Sequence, residues 1–282
     1  MPRTAATAVS TRPAALARRI DAAIARASEG RSALPLDVLL LEGLSSPHVR
    51  HLMNNLCRGA GVNYLEIGTH KGSTLVAASY DNPGRFTAVD DFSEFEQLGA
   101  RAAFAEVRGR FADHCRFRFH EADCWSAALR RRLPRGVNVY FYDGPHKHHD
   151  QYRAFTHFHP LFAETFIAVV DDWNSPIVRQ ATRRAFADLG YTTLHERELF
   201  TRRWIQDLWW NGLFLAVVRK PSGGKRKVSP GAGPKPPVPV RAAPGARRPR
   251  RAASAPARST RPAAAGRARA RRPRTAAPAR RR

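Results

Sequence analysis

Between residues 30 and 220, apolar positions recur with two alternating periods, and that alternation predicts the architecture. Short runs rich in β-branched and aromatic residues read as strands: Tyr64–Ile67, Arg85–Val89, Arg116–His120, Val137–Tyr142 and Phe166–Val170. Val137–Tyr142 is almost continuously apolar, as a strand buried on both faces requires. Helical patterning fills the intervals at Ser73–Tyr80, Glu94–Asp113, Trp125–Arg132, His149–Phe162 and Pro176–Leu189, and Val38–Leu44 and His48–Leu56 precede the first strand. Strand–helix alternation predicts an α/β fold, a doubly wound and mostly parallel sheet covered on both faces. Two final strands flank Asn211-Gly212, a dipeptide suited to a hairpin turn. The chain has no internal repeat.

Charge divides the chain. The net charge of +25 is concentrated in residues 221–282, which hold nineteen Lys and Arg, no acid, no aromatic residue and twelve of the 21 prolines. Such a segment buries too little apolar surface to offset the entropy of ordering, so 221–282 reads as a disordered Arg/Pro/Ala-rich tail. The first 220 residues carry 29 basic against 23 acidic residues and resemble an ordinary globular domain at 31–220. Residues 1–30 form a basic N-terminal segment, partly helical because Leu16, Ile20 and Ile24 share one helical face; the Arg- and Ala-rich composition of 1–20 also faintly suits a transit peptide. Cys57, Cys115 and Cys124 make no CxxC pair, which fits free thiols in a reducing, cytoplasmic setting. No apolar run reaches the length of a membrane span.

In a parallel sheet of this kind ligands sit at the carboxyl ends of the strands, so the residues that end each strand carry the functional signal. The first strand runs into Glu66-Ile67-Gly68-Thr69-His70-Lys71-Gly72-Ser73, a strand, tight glycine loop and helix start that offers backbone N–H groups to a ligand. The second ends at Asp90-Asp91, with Asp90 placed for bidentate bonding to a ribose diol. The third leads into Asp123-Cys124-Trp125, the fourth ends at Asp143-Gly144-Pro145-His146, and the fifth at Asp171-Asp172-Trp173-Asn174. Five successive strands deliver carboxylates to one rim. A nicotinamide dehydrogenase would prefer Gly-x-Gly-x-x-Gly, whereas here Gly68 and Gly72 have no glycine between them.

These residues resemble the class I S-adenosylmethionine-dependent methyltransferases, in particular the catechol- and macrocin-type small-molecule O-methyltransferases, over about residues 40–220. The resemblance implies a Rossmann-like seven-stranded sheet with an antiparallel last strand. It implies a cofactor site at Glu66, Gly68, Thr69, Gly72, Ser73, Asp90, Asp123, Cys124 and Asp143. Many members carry a further glycine where this chain has Thr69-His70-Lys71. Methyl transfer to a hydroxyl requires an aligned, deprotonated oxygen, supplied by a base, by a divalent cation or by both. In the metal-dependent relatives the ligands match Asp143 and Asp171, with Asp172 in the position of the usual Asn and adding a negative charge; these are hard oxygen donors suited to Mg²⁺ or a similar ion. His146 stands where catechol-type relatives place a catalytic lysine, and imidazole suits general-base work near neutral pH. His146 and Asp143 are therefore the catalytic candidates.

Each feature also has a plain structural reading. Asp143 before Gly144-Pro145 could shape a turn, Asp171 or Asp172 could cap a helix, and His146 lies in the tract His146-Lys147-His148-His149. Lys71, Tyr152 and Trp173 are as easily surface or core residues as ligand contacts. Trp204, Trp209, Trp210, Phe92 and Phe95 either line a pocket for a hydroxylated small-molecule acceptor or belong to the core or a homodimer interface. The tail clusters Lys225-Arg226-Lys227, Arg247–Arg251 and Arg271–Arg274 would neutralise nucleic acid or another polyanion without sequence preference, and would act as nuclear-localisation patches in a eukaryotic host. Two functions from different classes follow: an O-methyltransferase, or a methyltransferase-fold protein tethered to a polyanion by its tail.

Overall fold

The computed structural model describes residues 12–94, 96–202 and 208–222. The chain divides into two units, Met1–Val228 and Ser229–Arg282, and the described residues all lie in the first; the predicted tail from residue 223 onward lies outside them. Among the described residues, eight α-helices and seven strands follow in the order α1 Pro13–Ser28, α2 Leu36–Leu39, α3 Pro47–Leu56, β1 Asn63–Ile67, α4 Ser73–Ser79, β2 Arg85–Asp90, α5 Ala100–Arg110, β3 Phe117–Glu121, α6 Ala127–Arg132, β4 Val137–Tyr142, α7 His148–Thr156, β5 Phe162–Val170, α8 Pro176–Asp188, β6 Thr192–Leu199 and β7 Leu213–Arg219.

The sheet order is β3-β2-β1-β4-β5-β7-β6, with every pair parallel except those that β7 makes with β5 and β6. This is the expected Rossmann-like sheet, and the strand order reverses between β1 and β4. Alternation along the strands splits the core into two layers. Tyr64, Val139 and Phe141 face α1, α3 and α4, whereas Leu65, Tyr140 and Tyr142 face α6, α7 and α8. Leu16, Ile20, Ala23 and Ala27 of α1 are buried in the first layer, so this basic helix packs as part of the domain.

Several local expectations change. Asn211-Gly212 does not form a two-residue hairpin, because β6 and β7 are joined by the long segment 200–212. Gly212 instead turns back on the loop after β5. Its carbonyl accepts from Trp173 N, that of Asn211 accepts from Asn174 N, and the Asn174 side chain bonds Thr201 from both sides. Local turn chemistry yields to this tertiary clamp. The Glu94–Asp113 helix is interrupted at Gly99, whose φ of +66° separates a 3-10 turn at Glu96–Leu98 from α5. The His149–Phe162 helix stops at Thr156, and Phe162 already begins β5. Residues 40–46 are not helical, since only Leu36–Leu39 forms a turn of helix there.

Candidate active site

A cavity of about 500 Å³ opens at the carboxyl ends of β1, β2, β4 and β5, over the point where strand order reverses. That volume and position are those of a small-molecule site in an α/β sheet. Its walls carry seven carboxylates: Asp90, Asp91, Glu94, Asp123, Asp143, Asp171 and Asp172. Two histidines, His70 and His146, are the basic side chains among its described lining residues, so the cavity favours a cationic ligand within a basic chain.

Backbone conformation is forced at its rim. Among the described non-glycine residues with positive φ, His70, Phe92, Asp172 and Trp210 all line the cavity. A left-handed conformation is costly for such residues and concentrates at functional sites. Gly68 has φ +87°, and a Cβ there would lie 2.5 Å from the Asp143 carbonyl carbon. Only glycine lets the β1 loop pass this close to the end of β4.

The predicted cofactor residues separate into two sets. Gly68, Thr69, Asp90, Asp123, Cys124 and Asp143 line the cavity. Glu66, Gly72 and Ser73 are not in its wall. Strand alternation turns Glu66 to the α4 side, where it accepts from Tyr64 Oη at 2.5 Å and Thr74 Oγ1 at 2.9 Å. Glu66 is fully buried, and desolvation pushes its pKa up to about 8 against the opposing effect of these two hydrogen bonds. Gly72 starts α4 against the Phe104 ring, and Ser73 packs under Gly43. These three residues shape the loop from behind.

Asp90 has a similar anchoring geometry. Its Oδ2 accepts from Thr69 N and His70 N at 2.6 and 2.7 Å, and its Oδ1 from Phe92 N at 2.7 Å. The carboxylate thus stitches the glycine loop to the end of β2. The next residue, Asp91, is exposed in the cavity wall, and only its Oδ1 is drawn into bonds with Ser93 N and Oγ. Adjacent acids at a strand end look alike in sequence, and no sequence signal separates the two. Asp123 accepts from Trp125 N at 2.9 Å, which shapes its loop, and burial pushes the neighbouring Cys124 thiol up to about 12.

The acid cluster forms around His146. Ligand atoms of Asp143, His146 and Asp171 lie within 4.8 Å of one another. His146 Nε2 is 3.6 Å from Asp143 Oδ1 and 3.9 Å from Asp172 Oδ2, and it makes no hydrogen bond. Asp143 and Asp171 are both held well above the usual carboxylate range, by desolvation first; the charge of Asp172 adds to the rise at both and that of Asp143 to the rise at Asp171, whereas a hydrogen bond with Asp171 opposes it at Asp143. Like charges crowded in a dry site must share a proton or a cation. Asp172 differs in role from its neighbours: its φ is +55° and its Oδ1 accepts from Asn211 Nδ2 at 2.9 Å.

His146 is oriented from behind by residues absent from the sequence-based set. Gln151 and Thr182 are both fully buried. Gln151 Nε2 donates to Thr182 Oγ1 at 2.9 Å, which leaves Gln151 Oε1 to accept from His146 Nδ1 at 3.0 Å. With its proton on Nδ1, the imidazole presents an Nε2 lone pair to the carboxylates. A glutamine five residues past a histidine is no sequence motif; the link exists because α7 folds back under the β4 loop.

The aromatic candidates also separate. Trp210 and Phe92 line the cavity, joined by Leu44. Trp209 packs edge-on to His48 with ring centroids 5.8 Å apart, and Trp173 is buried and stacked on Phe214 at 4.2 Å. Tyr152 bonds Asp188 and Lys71 bonds Glu42, both away from the cavity wall. Phe95 and Trp204 lie outside the described residues.

Residues 65–173 match the family model described as a methyltransferase domain, a span from β1 to the loop after β5 that contains the carboxylates and His146 of this site. That match covers the centre of the chain and falls on the Rossmann-like sheet described above. No curated protein matches the chain. Among solved structures it is similar to an O-methyltransferase from Bacillus cereus in complex with SAH, at 15% identity over 72% of this chain and 91% of that one, with a TM-score of 0.44. It is also similar to TomG from Streptomyces achromogenes, an O-methyltransferase involved in tomaymycin synthesis, in complex with SAM, at 22% identity over 70% and 89%, with a TM-score of 0.44. Among the described residues no helix is long and apolar enough to cross a membrane.

Proposed function

We propose that the protein transfers a methyl group from S-adenosylmethionine to a hydroxyl oxygen of a small acceptor, assisted by a divalent cation held at Asp143, His146 and Asp171. The observation that carries this reading is the close pair of the half-buried Asp143 and the buried Asp171, facing a histidine nitrogen that makes no hydrogen bond. The cofactor, when bound, supplies a methyl group activated on a positively charged sulfur. The seven carboxylates around the cavity suit that cation.

Gly68 and the loop anchored by Asp90 support the cofactor's amino-acid end, and Asp91 is assigned to the ribose hydroxyls because its carboxylate retains an oxygen outside the local turn. Asp123 and Cys124 flank the adenine end. A cation at the cluster would supply Lewis acidity that lowers the pKa of an acceptor hydroxyl. Two carboxylate oxygens and an imidazole nitrogen suit Mn²⁺ or Zn²⁺ better than Mg²⁺, which prefers oxygen donors alone. Asp172 keeps Oδ2 toward the cluster while Asn211 holds Oδ1, so Oδ2 is placed to take the acceptor proton. Trp210 and Leu44 give the acceptor side an apolar wall.

One alternative shares the same atoms. Without a cation, His146 Nε2 itself takes the proton as general base, with Asp143 and Asp172 stabilising the imidazolium. Incubation of the full chain with labelled S-adenosylmethionine and a panel of phenols and sugars, with Mn²⁺ or with a chelator, tests both. Turnover that needs Mn²⁺ supports the cation, and turnover unaffected by the chelator supports the base. Failure of every hydroxyl acceptor alongside methylation of an amine or carbon acceptor overturns the O-methyl assignment.

A further inference from the structure

A second concavity, of about 1060 Å³, runs along the free edge of the sheet at β3. Six arginines line it: Arg85, Arg101, Arg108, Arg116, Arg118 and Arg132, all exposed. Glu121 is the acid among its described lining residues, and it is paired with Arg101 at 3.0 Å. The other five make no ion pair among the described residues. Residues 1–220 hold 29 basic against 23 acidic side chains, so this one groove gathers nearly all of their excess positive charge. Nothing in the packing requires that crowding. Mutual repulsion among these arginines costs stability unless an anion relieves it.

The groove is aromatic as well as basic. Alternation along β3 turns Phe117 and Phe119 toward α5, and Phe117 is partly buried against Phe104 while still lining the groove, with the Arg108 guanidinium 5.9 Å from its ring centroid. Arg118 and Arg132 lie close enough to His120, on the other side of the strand, to lower its pKa after desolvation. The strand edge is thus flanked by guanidinium groups on both sides over the length of β3, about 17 Å for five residues. Phosphate-tracking charge beside a ring that reaches the groove surface is the recognition chemistry of unpaired nucleotides, whose bases can stack while the backbone follows the basic track.

We propose that the β3-edge groove binds single-stranded nucleic acid, with the arginines on the phosphates and Phe117 as a stacking face for a base. This site is distinct from any polyanion affinity of residues 221–282 and does not depend on the methyl-transfer reading. The test uses the full chain and a 4-thiothymidine-containing oligo(dT) 20-mer, irradiated and mapped by mass spectrometry. Cross-links are expected on the peptide that contains Phe117, and Arg116→Glu with Arg118→Glu should abolish them while leaving any tail cross-links. The pair should also weaken binding about fivefold or more at 0.1 M salt and flatten the salt dependence by about 0.7 per lost phosphate contact. Arg132→Glu, on the separate helix α6, gives a second variant if the pair does not fold. Cross-links confined to residues 221–282 would overturn the proposal. So would an abasic 20-mer that displaces the oligo(dT) from the groove as well as unlabelled oligo(dT) does, which would reduce the groove to a general anion site.

Discussion

Replacement of Gln151 by leucine tests how the site is held. Leucine fills a similar volume but offers no acceptor, so the change leaves the His146 Nδ1–H and the Thr182 hydroxyl without the partners they have at 3.0 and 2.9 Å. Each buried polar group stripped of its bond costs about 1–3 kcal/mol, which predicts a clear fall in the melting temperature. Stability alone would not reveal function. The distinguishing effect is on the imidazole, which is no longer fixed with Nε2 toward Asp143 and Asp171. Loss of the group that orients a metal-binding histidine typically costs 10–100-fold in metal affinity. Calorimetric titration of Mn²⁺ should show that loss while S-adenosylhomocysteine affinity stays within about twofold. Gln151→Glu keeps an acceptor at Nδ1 and should restore Mn²⁺ binding. Unchanged Mn²⁺ affinity in Gln151→Leu, with stability lowered, would make Gln151 a packing residue only and refute the argument.

Glu66→Gln addresses pH dependence. Burial raises the Glu66 pKa from its ordinary value to about 8, so the folded state binds this proton more tightly than the unfolded chain does. Its contribution is fully present below the unfolded carboxyl range and is lost as pH rises through about 8; the glutamine variant should show a flatter stability profile over that interval in denaturant titrations. Asp90→Asn and Asp91→Asn should separate two roles: the first weakens the glycine loop and lowers the melting temperature, whereas the second leaves the melting temperature unchanged and weakens S-adenosylhomocysteine binding about tenfold. Gly68→Ala should abolish cofactor binding or folding, because its Cβ would press on the Asp143 carbonyl at a positive φ; wild-type affinity in that variant would contradict the described loop. Asp171→Asn removes one carboxylate of the pair and should weaken Mn²⁺ binding most on the alkaline side of the raised Asp171 titration, with less change on the acid side, where the group already carries a proton.

What could be read from the sequence followed the physics of each element. The buried strands were legible because a parallel strand covered on both faces must be apolar throughout, as Val137–Tyr142 is, and strand–helix alternation then leaves few topologies. The acids at strand ends were legible as a group, since topology alone brings Asp90, Asp123, Asp143 and Asp171 to one rim. Individual roles were not. Glu66 sits one residue from the cavity wall, and the two-residue period of the strand turns it to the opposite face. Asp90 is occupied by loop amides that only the folded chain brings near it, and Gln151 reaches His146 only because α7 returns beneath the β4 loop. Asn211-Gly212 misled because a strong local turn signal was overridden by the clamp to Asn174. The basic β3 edge is visible as Arg116-Phe117-Arg118-Phe119, but sequence does not show that β3 lies at the border of the sheet.

A methyl-donor site in the cavity at the strand reversal must bind S-adenosylhomocysteine. Isothermal calorimetry of S-adenosylhomocysteine into the full chain, beside the Asp91→Asn variant, measures that directly. One-to-one binding to the wild type at micromolar affinity or better is expected, with a marked loss in the variant. A well-folded protein that binds neither S-adenosylhomocysteine nor S-adenosylmethionine would contradict it.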